Sequence, residues 1–187
     1  MHVNPGDVLV TLRARVDAHF AAAVREAPAS FRCGPGCDRC CHQRFGVFAV
    51  EAAPIREALG ELGRRDPALR RRVRAQADDP AHADRCALLV DGRCAVYDAR
   101  PIICRTHGLP LAVPVDPDVP AGPHRVDHCP KNFTDAPPPR AALLRLAAVN
   151  DPLCVLAELR DPGAPRVELA ALARGGDERD APAPPTA

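Results

Sequence analysis

The residues best equipped for chemistry are the thiols of Cys33-Gly34-Pro35-Gly36-Cys37-Asp38-Arg39-Cys40-Cys41, four within nine residues. Cys86, Cys94, Cys104 and Cys129 follow, with a ninth at Cys154. Thiolates are soft ligands that prefer zinc, iron–sulfur clusters or Cu(I), and the metal itself drives their deprotonation. Cys40 and Cys41 are adjacent, and neighbouring side chains in an extended segment point in opposite directions. They are therefore awkward joint ligands of one tetrahedral ion. They suit two sites sharing a loop, or one larger cluster with a further centre beside it. The eight cysteines before Cys154 would fill two four-thiolate sites.

Histidines stand among the thiols. His42 follows Cys41, His107 lies three residues after Cys104, and His128 precedes Cys129. Each is a metal ligand, a proton carrier or a loop histidine, and His107 and His128 rank above His42 as ligands. Cys154, in the apolar run Leu153-Cys154-Val155-Leu156, reads as a small core residue. The spacing Cys33-x3-Cys37-x2-Cys40 also matches the radical-SAM cluster motif. Against that reading, Arg39 stands where that family commonly has an aromatic, and no βα alternation follows.

The elements that must position these groups are mostly helical. Leu9, Leu12, Val16, Phe20, Ala23 and Val24 share one face of a helix over 7–27, with Asp7 as its N-cap and Pro28 as its end. The Gly-Pro-Gly insert rules out regular helix in the thiol loop. Residues 44–50 form a candidate short strand. A helix over 51–62 follows, with Pro54 tolerated in its first turn, and then a helix over 67–77 that starts at Asp66-Pro67. Its arginines, Arg70, Arg71, Arg72 and Arg74, read as a solvated face or as a docking surface for an acidic partner. Cys86 to Tyr97 reads as a hairpin turning at Asp91-Gly92, which brings Cys86 and Cys94 together. Asp98 caps a short helix that delivers Cys104. Residues 109–139 read as a Pro-rich loop, 139–160 as helix interrupted at Asn150-Asp151-Pro152, and 167–174 as one more short helix. The expected fold is mainly α with a small β-hairpin: a cysteine-rich, metal-stapled single domain over 1–174 with long Pro-rich loops, and a disordered tail over 175–187.

At 187 residues, with no Trp and 3% aromatics, the core must be built from Ala, Leu and Val, which bury less area than aromatic side chains. A bound metal is then a useful staple. The net charge of +1 argues against a general nucleic-acid or membrane binder. Met1 to Val10 lacks a basic flank followed by a long apolar stretch, so no signal peptide is expected. No window is apolar enough for a membrane span. The expected compartment is the cytoplasm, where thiols stay reduced. Nine thiols also cannot complete a disulfide framework.

The pattern Cys33-x3-Cys37-x2-Cys40-Cys41, followed by Cys86-x7-Cys94-Ala95-Val96-Tyr97-x2-Arg100-Pro101-x2-Cys104-Arg105, resembles the YkgJ-like CxxCxxCC family of zinc- or iron-chelating proteins. The resemblance covers about 31 to 107, and Cys129 matches a further cysteine often seen downstream in that family. It implies a cytoplasmic bacterial protein that binds metal through these cysteines, commonly as an iron–sulfur cluster, iron or zinc. A similar cysteine module occurs in flagellin lysine methylases, so the enzyme question stays open.

Arg100 and Arg105 are candidate cofactor-binding residues that neutralise a thiolate cluster and donate N–H bonds to sulfur; the competing reading is helix-surface ion pairs. Tyr97 reads as hairpin packing. The leading expectation is an iron–sulfur or iron centre serving redox or iron-dependent chemistry. The alternatives are a structural zinc module that binds a protein partner, and a metal-dependent enzyme that modifies a peptide or protein. No nucleotide-binding motif, nucleophile elbow or Ser–His–Asp order is present.

Overall fold

The computed structural model describes residues 4–34 and 36–175. It is mainly helical, as the sequence predicts, with six α-helices and short strands among the described residues. The chain divides into two compact units that interleave in sequence. One comprises Met1–Cys37 and Pro101–Ala164, the other Asp38–Arg100 and Pro165–Ala187.

In the first unit, helix α1 (Pro5–Glu26) buries Leu9, Leu12, Val16 and Ala23, the face the 3.6-residue period predicts. Its cap is Asn4, not Asp7: the Asn4 side chain accepts from the Gly6 N–H at 3.0 Å, while Asp7 sits in the first turn, where its charge suits the helix dipole. Helix α4 (Ile102–Thr106) packs on α1. Its N-cap is Pro101; Asp98 instead lies within a 3₁₀ turn over Tyr97–Ala99.

The Pro-rich stretch holds a hairpin that its composition hides. Strand β4 (Leu111–Pro114) pairs antiparallel with β5 (His124–Asp127) and parallel with β6 (Leu144–Arg145). Helix α5 (Ala147–Arg160) then runs unbroken through Asn150-Asp151-Pro152 and packs on α1. Pro152 lies in the second turn, where its missing N–H removes the bond to the Ala148 carbonyl, and the helix carries on through it. Its buried residues are Val149, Leu153, Leu156 and Ala157, whereas Cys154 is exposed and not part of the core. A small apolar cluster of Ala23, Leu109 and Ala142, backed by Phe20, Phe31, Leu111 and Leu144, completes this unit's interior.

In the second unit, strand β1 (Gly46–Val47) is shorter than the apolar run suggests, because Ala49 already begins helix α2 (Ala49–Arg65). Helix α3 (Pro67–Asp78) starts as predicted, with the Asp66 side chain accepting from the Leu69 N–H at 2.9 Å. Strands β2 (Leu89–Val90) and β3 (Arg93–Cys94) form the expected hairpin. Asp91 and Gly92 carry φ of 50° and 73°, the pair of left-handed residues that a tight hairpin turn requires. Strand β7 (Val167–Glu168) pairs with β1 and leads into helix α6 (Leu169–Arg174).

One apolar core joins Ile55, Leu59 and Leu62 of α2, Val73 and Ala77 of α3, Leu169, Leu172 and Ala173 of α6, and Cys86 to Val90 of the hairpin arm. Several arginines of the basic run are engaged within the unit. Arg70 donates to the Ala173 carbonyl at 2.7 Å, and Arg72 pairs with Asp91 at 2.6 Å. The tail expected over 175–187 lies outside the described residues except for Gly175, whose φ of 71° ends α6.

Candidate metal centre

All nine cysteines are free thiols. In the second unit, a 3₁₀ turn over Arg39–Cys41 follows the bond from the Cys41 N–H to the Asp38 carbonyl, 2.7 Å. The Cys41 carbonyl then accepts from the Cys86 N–H at 2.7 Å, joining the thiol loop to the hairpin arm. Cys86 is buried at 7% exposure. Its thiol is pushed up to about 11, mainly by burial, and the nearby Cys94 and Cys40 thiols add to the rise. Cys94 is raised by the same desolvation, and Cys40 is raised further by its hydrogen bond with Cys41. Cys40 thus acts on Cys86 and Cys94 and is bonded to Cys41.

Backbone donors act in the opposite direction. The N–H of Leu88 is directed at the Cys86 thiol and that of Val96 at the Cys94 thiol, while the Leu89 N–H donates to the Cys86 carbonyl at 3.0 Å. The bonds from Leu88 and Val96 favour the thiolate. Arg100 lowers both Cys40 and Cys94 electrostatically. Its guanidinium is held by stacking over the Tyr97 ring, 3.5 Å from the centroid, and by donation from Nε to the Tyr97 carbonyl at 2.9 Å. Tyr97 itself is 58% exposed, so it serves as the platform for Arg100 and not as hairpin packing. His42 is exposed and lies 3.4 Å from Asp38.

In the first unit, Gly36 (φ 85°) closes a turn in which the Cys37 N–H donates to the Gly34 carbonyl at 3.0 Å. A second turn runs from Cys129 to Asn132, closed by the Asn132 N–H to the Cys129 carbonyl at 2.9 Å. Pro130 occupies the position that favours its fixed φ. Asn132, which sequence reading overlooked, is 1% exposed. Its Nδ2 donates to the Cys33 sulfur at 3.3 Å and to the Gly108 carbonyl at 2.8 Å, and its Oδ1 accepts from the Arg32 N–H at 2.8 Å. Cys33 also shares a hydrogen bond with Cys129 and lies beside Cys37; burial is the largest cause that pushes its thiol up to about 11.

Lys131, the one lysine of the chain, stands with Nζ 4.0 Å from the Cys37 sulfur. Cys104 lies half-buried on α4 in this same unit. His128 places Nδ1 3.0 Å from the Cys129 carbonyl and packs edge-on against Phe133. His107 places Nδ1 2.6 Å from the Ile103 carbonyl. Arg105 pairs with Asp17 of α1 at 2.5 Å.

Among the described residues, no three His, Cys, Asp or Glu side chains are already closed into a coordination sphere. The thiol–thiol hydrogen bonds pair Cys40 with Cys41 and Cys33 with Cys129. The donor set fits zinc or iron in its chemistry: soft sulfurs, four in each unit, with N–H and cationic groups directed at them.

No curated protein and no solved structure matches the chain. Residues 32–118 match the family model CxxCxxCC, described as a "Putative zinc- or iron-chelating domain". That span takes in seven of the eight clustered cysteines, from Cys33 to Cys104. Over residues 32–118, a little under half of its length, the chain is similar to the CxxCxxCC family.

Proposed function

We propose that the chain holds an iron–sulfur cluster or an iron or zinc centre through its clustered cysteines and uses it in redox or iron-dependent chemistry in the cytoplasm. The observation that carries this reading is the set of donors aimed at sulfur. Backbone N–H groups two residues beyond Cys86 and Cys94 point back at those thiols, and Arg100 adds positive charge beside Cys94 and Cys40. A neutral thiol has little use for such donors, whereas a metal-bound thiolate carries the charge they stabilise. The same donors are among the groups that set a cluster's potential. A reducing compartment follows from the need to keep the thiols free for metal.

A structural zinc module that binds a protein partner is the second reading. The observation favouring it is the shortness of β2 and β3, two residues each. An isolated hairpin of that size is marginal alone, and a zinc ion on Cys86 and Cys94 would secure it. Anaerobic purification followed by elemental analysis and visible spectroscopy separates the two. The redox reading expects iron, with broad visible absorption that bleaches on reduction. A colourless chain holding stoichiometric zinc favours the second, and a chain that retains neither metal contradicts both.

A further inference from the structure

Two segments of the first unit are laced together around a pair of thiols. The Phe133 N–H donates to the Ser30 carbonyl at 2.9 Å, and the Arg32 N–H donates to Asn132 Oδ1 at 2.8 Å. The rings of Phe31 and Phe133 meet edge-on, 5.0 Å between centroids. These contacts hold residues 30–33 alongside residues 129–133. Cys33 and Cys129 sit within the lacing, and their thiols share a hydrogen bond. Asn132 Nδ2 also donates to the Cys33 sulfur, at 3.3 Å.

The lacing is firm. Asn132 is 1% exposed, so its bonds are made away from water. Phe133 adopts φ 55°, a left-handed conformation rare for an aromatic residue. Backbone strain of this kind persists where the surroundings over-determine it. The two thiols are therefore kept facing each other by bonds that do not involve sulfur alone. Both residues are half-buried and not sealed in the core, so a small oxidant reaches them.

The other hydrogen-bonded thiol pair, Cys40 with Cys41, is less suited to bridging. Adjacent Cα atoms stand about 3.8 Å apart, short of the roughly 4.4–6.8 Å of an unstrained disulfide. Cys33 and Cys129 are remote in sequence and carry no such restriction. Cys129 also lies past residue 118, where the family match ends.

We propose that Cys33 and Cys129 are an oxidation site for a hydroperoxide, closing to a reversible disulfide that ties the Cys33 loop to the Cys129–Asn132 turn. One sulfur attacks the peroxide: an S–O bond forms, the O–O bond breaks, and water leaves, giving a sulfenic acid. The second sulfur displaces the hydroxyl: the S–S bond forms, the S–O bond breaks, and its thiol proton departs with hydroxide as a second water. Two electrons pass from the sulfur pair to the peroxide. The bridge closes a long stretch of chain, from 33 to 129, and so restricts the unfolded state strongly. It needs no metal.

Limiting hydrogen peroxide added to the reduced, chelator-treated full chain tests this. Intact mass should fall by two hydrogen atoms, and peptide mapping after alkylation should find Cys33 joined to Cys129 ahead of any other pair. The melting temperature should rise by about 5–15 °C, and dithiothreitol should reverse both changes. Cys129→Ser should abolish the bridge and the shift, while Cys154→Ser keeps both. A bridge from Cys33 to Cys37 or from Cys40 to Cys41 in their place overturns the proposal. So does a chain in which Cys33 and Cys129 stay free to alkylate while other thiols oxidise. If Cys129→Ser fails to fold by circular dichroism, the wild-type peptide map decides the matter.

Discussion

The side chain of Asn132 donates to the sulfur of Cys33 across 3.3 Å, although the two residues are 99 positions apart in sequence. The same amide bonds the Gly108 carbonyl and the Arg32 N–H. Asn132→Ala therefore takes the partner from the part-buried Arg32 N–H and from the buried Gly108 carbonyl. The expected cost is about 2 kcal/mol, read as a lower denaturant midpoint at unchanged slope. Asn132→Asp, which keeps the acceptor but cannot donate to sulfur or to the Gly108 carbonyl, should be no better.

Gly108→Ala probes the same place from the other side. The position has φ +98°, and the added methyl would stand 3.1 Å from the Cys33 sulfur. Backbone strain and crowding both act against it, by about 1–3 kcal/mol together. A thermal melt checks the stability loss, and zinc competition with a chromophoric chelator checks the accompanying loss of affinity. Full stability and full affinity in this variant would contradict the placement of Cys33.

Arg100→Gln removes the charge that lowers Cys40 and Cys94. Zinc affinity at that thiol set should fall, and the potential of any cluster there should become more negative, because the reduced and more negative state loses its counter-charge. The Tyr97 ring that carries the guanidinium is exposed, so Tyr97→Leu should shift the potential in the same direction by less. Protein-film voltammetry reads both.

The metal-stripped chain should lose stability at alkaline pH. Burial raises the Cys33 and Cys86 thiols from an ordinary 9.0 to about 11. Between those values the folded chain holds protons that the unfolded chain has released. Unfolding then gains free energy from each pH step, and stability falls as pH rises from about 9 to about 11. Urea melts across that range check the slope, and Cys86→Ser should flatten it.

Cys154→Ala is the control. The residue is exposed on α5, so the variant should match the wild type within about 0.5 kcal/mol and keep its metal. Cys37→Ala or Cys104→Ala should lose metal and stability by elemental analysis and thermal melt. The reverse pattern would contradict the ligand assignment.

The fold was legible wherever local signals were strong. Asp66-Pro67 marks the start of α3, Asp91-Gly92 fixes the hairpin turn, and the period from Leu9 to Ala23 identifies the buried face of α1. The β4–β5 hairpin was not, because prolines at 110 and 114 and again at 117, 120 and 123 give the stretch a loop composition. Only the pairing of Leu111–Pro114 with His124–Asp127 makes it a sheet. Cys154 was misplaced because alanines and leucines occupy nearly all faces of α5, which blurs the apolar stripe that would show which side is buried.

The thiols announced themselves by type and spacing, but their division did not. Cys37 and Asp38 are adjacent and belong to different units, and the units exchange chain again after Arg100 and after Ala164. Asn132 carried no signal, since Pro130-Lys131-Asn132 reads as an ordinary turn. Its role arises from burial against Cys33, a contact made only by the folded chain.

The most direct test of the central claim is elemental analysis of the full chain purified without oxygen from cells supplied with both iron and zinc, combined with counting of reactive thiols. Clustered cysteines holding metal predict iron or zinc that survives desalting, and fewer reactive thiols than the nine in the sequence until a chelator and denaturant are added. A metal-free chain whose nine thiols all react at once under native conditions would contradict it.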